Sequence, residues 1–70
     1  MQVQFILITE FGDFHSILMP IIGDEEFEEI KEKSQNYWET GFEMFLEDGG
    51  FIIFTPEVTK KSILKINRYE

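Results

Sequence analysis

The chain has 70 residues, of which 43% are hydrophobic and 29% charged, with a formal net charge of −8 and no cysteine. This length allows one domain, residues 1–70, and the composition is typical of a folded chain. Without cysteine there is no disulfide or thiolate metal site, and a single histidine excludes a multi-histidine centre. No apolar run approaches the roughly 20 residues that a membrane-spanning helix needs, so we expect no membrane span.

The charge is unevenly distributed along the chain. Residues 1–50 contain twelve acidic side chains and two lysines, a net charge of −10. Residues 51–70 contain two acidic and four basic side chains, a net charge of +2, which brings the sum to −8. Six of the twelve acids fall within residues 24–32. An asymmetry of this kind bears on binding partners rather than on fold.

The first 20 residues predict a β-hairpin. Residues 2–9 are rich in β-branched and aromatic side chains, and their first positions alternate between polar and apolar, which indicates a strand. Residues 10–13 predict a turn. Residues 14–19 predict the returning strand, and Pro20 ends it because proline lacks an amide donor.

An acidic helix is predicted next. Asp24 is a suitable N-cap, and the helix dipole favours the acids that follow it in the first turn. The inward stripe with helical spacing comprises Phe27, Ile30, Ser34 and either Tyr37 or Trp38. The outer faces carry Glu25, Glu26, Glu28, Glu29 and Glu32. The outward position of these carboxylates makes them the candidate partner-binding residues.

Three more strands are predicted in the C-terminal half, at residues 42–46, 51–54 and 62–67. The first two flank Glu47-Asp48-Gly49-Gly50, and Asp-Gly and Gly-Gly pairs are strong hairpin signals. Thr55 as N-cap and Pro56 at the first helical position predict a helix of one or two turns before the last strand. The sequence therefore predicts an α+β fold of order β-β-α-β-β-β, an antiparallel sheet of about five strands with one helix packed on a face.

No motif for catalysis, a metal ion or a cofactor is present. His15 and Ser16 are adjacent in a predicted strand, so their side chains point to opposite faces and cannot easily cooperate, which leaves Ser16 as a surface hydroxyl. The acidic pairs at residues 10 and 13 and at residues 47 and 48 lie in turns, where such residues are common for local reasons. We therefore expect a protein that is not an enzyme and uses no cofactor.

Nucleic-acid binding is a weaker hypothesis for this chain. It would depend on the basic C-terminal strand, with Tyr69 as a stacking platform. The basic residues there are Lys60, Lys61, Lys65 and Arg68. Four cations on a chain of net charge −8 attract phosphates poorly, and they more simply solvate the strand or balance the acidic helix, within one domain or across a dimer.

Two stretches, residues 15–19 (His-Ser-Ile-Leu-Met) and 24–30 (Asp-Glu-Glu-Phe-Glu-Glu-Ile), resemble a known family. They are similar to the strand and acidic helix of the phage-encoded uracil-DNA glycosylase inhibitors, although His15 stands where that family has a glutamate. The family is small, acidic and cysteine-free, and it blocks its enzyme by presenting a DNA-like pattern of charge. The resemblance implies an exposed strand edge at Ser16 and Ile17, flanked by the acidic helix. Residues 47–58 also look like small accessory proteins of phages and mobile elements.

Two functional hypotheses follow. In the first, the chain is a cytoplasmic, non-enzymatic module whose helix glutamates, with Ser16 and Ile17, bind a basic surface on another protein. The partner would be a nucleic-acid-handling enzyme, which the module blocks or modulates as an accessory protein of a phage or mobile element. In the second, it is a complete small gene product that self-associates as a homodimer through a surplus of aromatic surface, and the acidic face is only solvated.

Overall fold

The computed structural model describes residues 1–70 and contains six strands and three helices. The strands are β1 (Gln2–Thr9), β2 (Gly12–His15), β3 (Met19–Pro20), β4 (Phe42–Phe45), β5 (Phe51–Phe54) and β6 (Ile63–Tyr69). The helices are α1 (Asp24–Ser34), α2 (Tyr37–Thr40) and α3 (Pro56–Thr59). All strand pairs are antiparallel, so the predicted α+β class is confirmed. None of the helices has the length and apolar character needed to cross a membrane.

Strand β1 is the centre of the main sheet. It pairs with β6 along one side, from Gln2 opposite Tyr69 to Ile8 opposite Ile63. On its other side it pairs first with β3 and then with β2. The single strand predicted for residues 14–19 is therefore wrong, because it is interrupted between β2 and β3. The ladder stops at Ser16, because the amide of Phe5 in β1 donates to the Ser16 hydroxyl instead of to its carbonyl, which accepts from the Gln4 side chain.

Strands β4 and β5 form a second sheet, joined to the first by a bridge between Ser16 and Leu46. The predicted hairpin is confirmed, but its loop has three residues. The amide of Leu46 donates to the carbonyl of Gly50 at 2.7 Å, and the amide of Gly49 donates to the carbonyl of Leu46 at 3.0 Å. Within this loop only Gly49 has a positive φ, of 92°, as expected for a type I turn followed by a bulge. The predicted strands thus form two sheets.

The core lies between the two sheets and is small. Its central cluster comprises Leu7, Met44 and Phe54, and only eight of the 70 residues are buried. Half-buried aromatic rings extend it: Phe14 meets Phe54 edge-to-face with ring centroids 5.1 Å apart. A chain of this size buries a limited share of its surface, so these rings provide much of its apolar packing.

The start of α1 differs from the prediction. Its N-cap is Gly23, and Asp24 is the first helical residue, whose carboxylate accepts a hydrogen bond from Arg68 at 2.7 Å. Glu26, the third helical residue, instead reaches back past the N-cap, where its carboxylate accepts from the amide of Ile22 at 2.7 Å. A capping box would place this bond at the N-cap amide, and glycine at the N-cap supplies no side chain, so no side chain caps the first turn of α1.

The inward stripe of the helical region is confirmed in outline. Phe27, Ile30 and Ser34 of α1 are half-buried, as is Tyr37, whereas Trp38 remains 49% exposed. The helix breaks before Tyr37, which begins the separate helix α2. The break lets the Tyr37 hydroxyl reach the edge of β6, where it donates to the carbonyl of Ser62 and accepts from the amide of Leu64.

Candidate protein-binding surface

Three glutamates form a line of free carboxylates along α1. Glu25, Glu29 and Glu32 are spaced by four and three residues, so they lie on one side of the helix. All three are exposed, and their carboxylates have no ion-pair or hydrogen-bond partner in the chain. This side lies opposite the inward stripe. We call these three residues the acidic row.

The other two predicted glutamates of the helix have partners. Glu28 lies beside the acidic row and forms an exposed ion pair with Lys31, whose Nζ is 3.2 Å away. Glu26 is half-buried and holds the amide of Ile22. Glu28 therefore adds negative charge to this side of the helix, whereas Glu26 helps to build its N-terminus.

Ile22 is an almost fully exposed apolar residue beside the acidic row. Ile22 is 97% exposed, while its neighbour Ile21 is 7% exposed and donates its amide to the carbonyl of Met1. Of the two neighbouring side chains, Ile21 therefore faces the interior and Ile22 faces solvent. Ile22 lines a hollow of about 490 Å³ with Gly23, Asp24, Glu25, Glu26 and Glu29. The sequence did not identify this residue, since either isoleucine of the pair could have faced the core.

Ser16 and Ile17 do not join this surface. Ser16 is fully buried, and its hydroxyl accepts from the amide of Phe5 at 2.8 Å and donates to the carbonyl of Ile17 at 2.9 Å. The expectation of an exposed Ser16 is therefore wrong, because its backbone pairs with β1 on one side and with Leu46, directly after β4, on the other. Ile17 is 39% exposed, but the cleft that it lines shares no residue with the hollow at Ile22.

The basic strand contributes one cation to the helix. Arg68 pairs with Asp24, and its guanidinium carbon lies 5.1 Å from the centre of the Phe27 ring. A second carboxylate, that of Glu70, lies 3.7 Å from its Nε. Through these contacts Arg68 links α1 to β6. Its charge is already paired, so Arg68 does not neutralise the carboxylates of the acidic row.

The remaining titratable groups are predicted to lie mostly in turns. No group of three or more His, Asp or Glu side chains is placed to hold a metal ion. The Nδ1 atom of His15 lies 3.5 Å from a carboxylate oxygen of Glu47 on the surface, while Ser16 points into the interior. The expected lack of cooperation between His15 and Ser16 agrees with these positions.

Comparisons of the chain with protein-family models, with curated proteins and with solved structures find no match. The resemblance of residues 15–19 and 24–30 to the glycosylase inhibitors therefore stays a prediction. What this surface binds has to be inferred from the positions of Ile22 and the acidic row.

Proposed function

We propose that the protein is a non-enzymatic protein-binding module that docks Ile22 and the acidic row on a basic surface of another protein. The observation that supports this most directly is that the 97% exposed Ile22 shares a hollow with Glu25 and Glu29, two carboxylates of the acidic row without partners. Stable interfaces combine an apolar anchor with a polar rim. In such an arrangement the charges speed association and the anchor supplies affinity.

The density of the carboxylates supports a partner that normally binds nucleic acid. With Glu28 included, four carboxylates lie within the eight residues from Glu25 to Glu32, a rise of about 10.5 Å at about 1.5 Å per residue. Their spacing along the axis is uneven, but the side of the helix that they occupy is densely negative, as a DNA strand is. Enzymes that handle nucleic acids carry basic grooves, and we propose that the module blocks or modulates one of them. Such a role suits a cytoplasmic accessory protein of a phage or mobile element.

The proposal is tested by affinity purification with mass-spectrometric identification of the bound proteins. It is run at about 0.1 M and about 1 M salt, between which the screening length falls from about 10 Å to about 3 Å. The test variant combines Glu25→Lys, Glu29→Lys and Glu32→Lys. The control combines Glu10→Lys, Glu39→Lys and Glu57→Lys, which makes the same change in net charge at exposed sites outside α1.

We expect the partner to be retained by the wild type and by the control at low salt, and to be lost from the helix variant. Equal retention by the helix variant and the control, or the same partners at both salt concentrations, would contradict the proposal. The anchor is tested separately with Ile22→Ser, for which we expect a loss of more than about tenfold in affinity. Ile63→Ser, at another exposed isoleucine, is its control.

A second candidate, self-association, is supported by the outer face of the β4–β5 hairpin. Phe45, Phe51 and Ile53 are 60%, 49% and 67% exposed there, and the two phenylalanine rings have centroids 4.8 Å apart. Exposed apolar patches of this kind mark interaction sites. Sedimentation velocity at high concentration discriminates: a dimer that Phe45→Ser dissociates and Phe11→Ser does not supports this candidate, and a strict monomer removes it.

A further inference from the structure

A second concave site lies on the other face of the main sheet. It is a cleft of about 400 Å³ lined by Gln4, Ile17, Leu18, Glu47 and Tyr69. Side chains alternate along β6, and Arg68 packs against Phe27 of α1, so the neighbouring Tyr69 projects from the opposite face. The cleft is therefore separate from Ile22 and the acidic row.

The walls of the cleft differ in chemistry. Ile17 and Leu18, which are 39% and 48% exposed, form an aliphatic wall where the chain leaves β2. The ring of Tyr69, 42% exposed, forms an aromatic wall. Glu47, in the β4–β5 loop, brings a carboxylate whose side chain is 59% exposed. Aliphatic, aromatic and anionic groups thus converge on one space.

Gln4 holds the walls in place. It is only 8% exposed, and its Nε2 donates to the carbonyl of Ser16 at 2.9 Å and to Oε1 of Glu47 at 3.1 Å. Its Oε1 accepts from the hydroxyl of Tyr69 at 3.3 Å. Both Nε2 hydrogens of Gln4 are therefore engaged, and the carboxylate and the ring are positioned before any ligand arrives.

The polar group left for a ligand is the second carboxylate oxygen of Glu47. Oε1 of Glu47 accepts a hydrogen bond from Nε2 of Gln4 and lies 3.5 Å from Nδ1 of His15, while Oε2 has no partner. An anion would be repelled by Glu47 and by the net charge of −8. A purely apolar ligand would cover Oε2 without giving it a hydrogen bond, which is unfavourable.

A cation on an aliphatic stem can make favourable contacts with the aliphatic, aromatic and anionic groups of the cleft. Its stem lies against Ile17 and Leu18, and its charge meets Glu47. Guanidinium fits better than ammonium, because its plane stacks on a tyrosine ring while its edge donates to a carboxylate. We propose that this cleft binds an arginine side chain presented by a partner protein, stacked on Tyr69 and hydrogen-bonded to Oε2 of Glu47.

The direct test is an NMR titration of the isotope-labelled chain with the peptide acetyl-Gly-Arg-Gly-amide. We expect saturable shifts of the Gln4, Ile17, Leu18 and Tyr69 amides, with a dissociation constant on the order of 1 mM. The same peptide with citrulline, a neutral isostere of arginine, should bind about threefold to fivefold more weakly. Equal binding of the citrulline peptide, tighter binding of a Gly-Leu-Gly peptide, or no saturable shift at the cleft would overturn the proposal.

Variants separate the contributions of the walls. Glu47→Gln keeps an acceptor for Gln4 but removes the charge, so it should weaken the arginine peptide about threefold to fivefold, whereas Glu57→Gln should not. Tyr69→Phe retains the stacking surface and should retain binding, whereas Tyr69→Leu should lose it. Dispersed amide spectra show that each variant is folded. A loss with Tyr69→Phe equal to that with Tyr69→Leu would contradict the stacking geometry.

The outcome is distinguishable from that of the proposed function. The variant with Glu25, Glu29 and Glu32 changed to lysine should bind the arginine peptide no more weakly than the control variant with Glu10, Glu39 and Glu57 changed to lysine. If Glu47→Gln lowers affinity no more than Glu57→Gln, which makes the same change in net charge, the peptide responds to net charge alone and the cleft is not an arginine site. Failure of the cleft leaves the docking of Ile22 and the acidic row untouched.

Discussion

Helix α1 and the β4–β5 hairpin cover the same face of the main sheet, but they contribute to the protein in different ways. The hairpin provides Met44 and Phe54, two of the three residues in the central core cluster. Helix α1 has no fully buried residue and packs through half-buried side chains such as Phe27. The hairpin therefore contributes more to stability than the helix does. The main contribution of the helix is the surface that its outer side presents.

The outward faces of these two regions also differ. The helix presents carboxylates and the hairpin presents Phe45, Phe51 and Ile53. Charged surfaces suit reversible, salt-sensitive encounters, whereas apolar surfaces favour lasting association. Substitutions inside the hairpin should consequently unfold the protein, and substitutions on the outer face of the helix should change only its binding.

The largest effect is expected for Phe54→Ala. Removing this ring from the core should lower the free energy of unfolding by about 3–5 kcal/mol. That is about half of the roughly 4–10 kcal/mol expected for a chain of this length. Phe27→Ala, on the inner side of α1, should cost about 1.5–2.5 kcal/mol, since a half-buried ring loses about half as much apolar contact. Urea unfolding followed by circular dichroism measures both, and equal losses would contradict the division between hairpin and helix.

Much of this architecture is encoded locally and could be predicted from sequence. The loop at residues 47–50, the start of α3 at Pro56 and the inward stripe beginning at Phe27 depend on turn residues or on periodicity within one element. The acidic row follows from the same periodicity, because the side opposite an apolar stripe is the exposed one. These features needed no knowledge of which strands pair.

The features that sequence did not reveal depend on pairing between distant segments. Ser16 is buried because β4 bonds to the chain beside it, and nothing near Ser16 in sequence indicates that. The exposure of Ile22 is decided by the bond between Ile21 and Met1. The cleft joins Gln4, Glu47 and Tyr69, which lie in different parts of the chain, so no local pattern predicts it.

A second prediction concerns Gly41, which connects α2 to β4. Its φ is +86°, and a Cβ atom there would lie 2.6 Å from the carbonyl oxygen of Phe54. Gly41→Ala should therefore cost about 2–3 kcal/mol through strain at the base of the hairpin. Gly23→Ala is the matched change at α1, where the backbone is extended and no atom lies within 4 Å of the added Cβ.

We expect Gly23→Ala to cost less than about 1 kcal/mol, because it alters only the N-cap. Thermal unfolding monitored by circular dichroism compares the two variants under one set of conditions. If Gly23→Ala proved the more destabilising, the start of the helix would matter more to folding than the junction with the hairpin. The comparison between the two regions would then be reversed.

The smallest effect is expected on the outer face of α1. Combining Glu25→Gln, Glu29→Gln and Glu32→Gln should change the free energy of unfolding by less than about 0.5 kcal/mol, because opposing interactions of similar size are removed together. The carboxylates of Glu25 and Glu29 repel each other at a separation of four residues. Against this, the helix dipole favours Glu25 in the first turn, and Lys33 lies four residues after Glu29. A loss above about 1 kcal/mol would show that folding uses these carboxylates, whereas a gain would show that the chain keeps them at a cost to its own stability, as a binding surface requires.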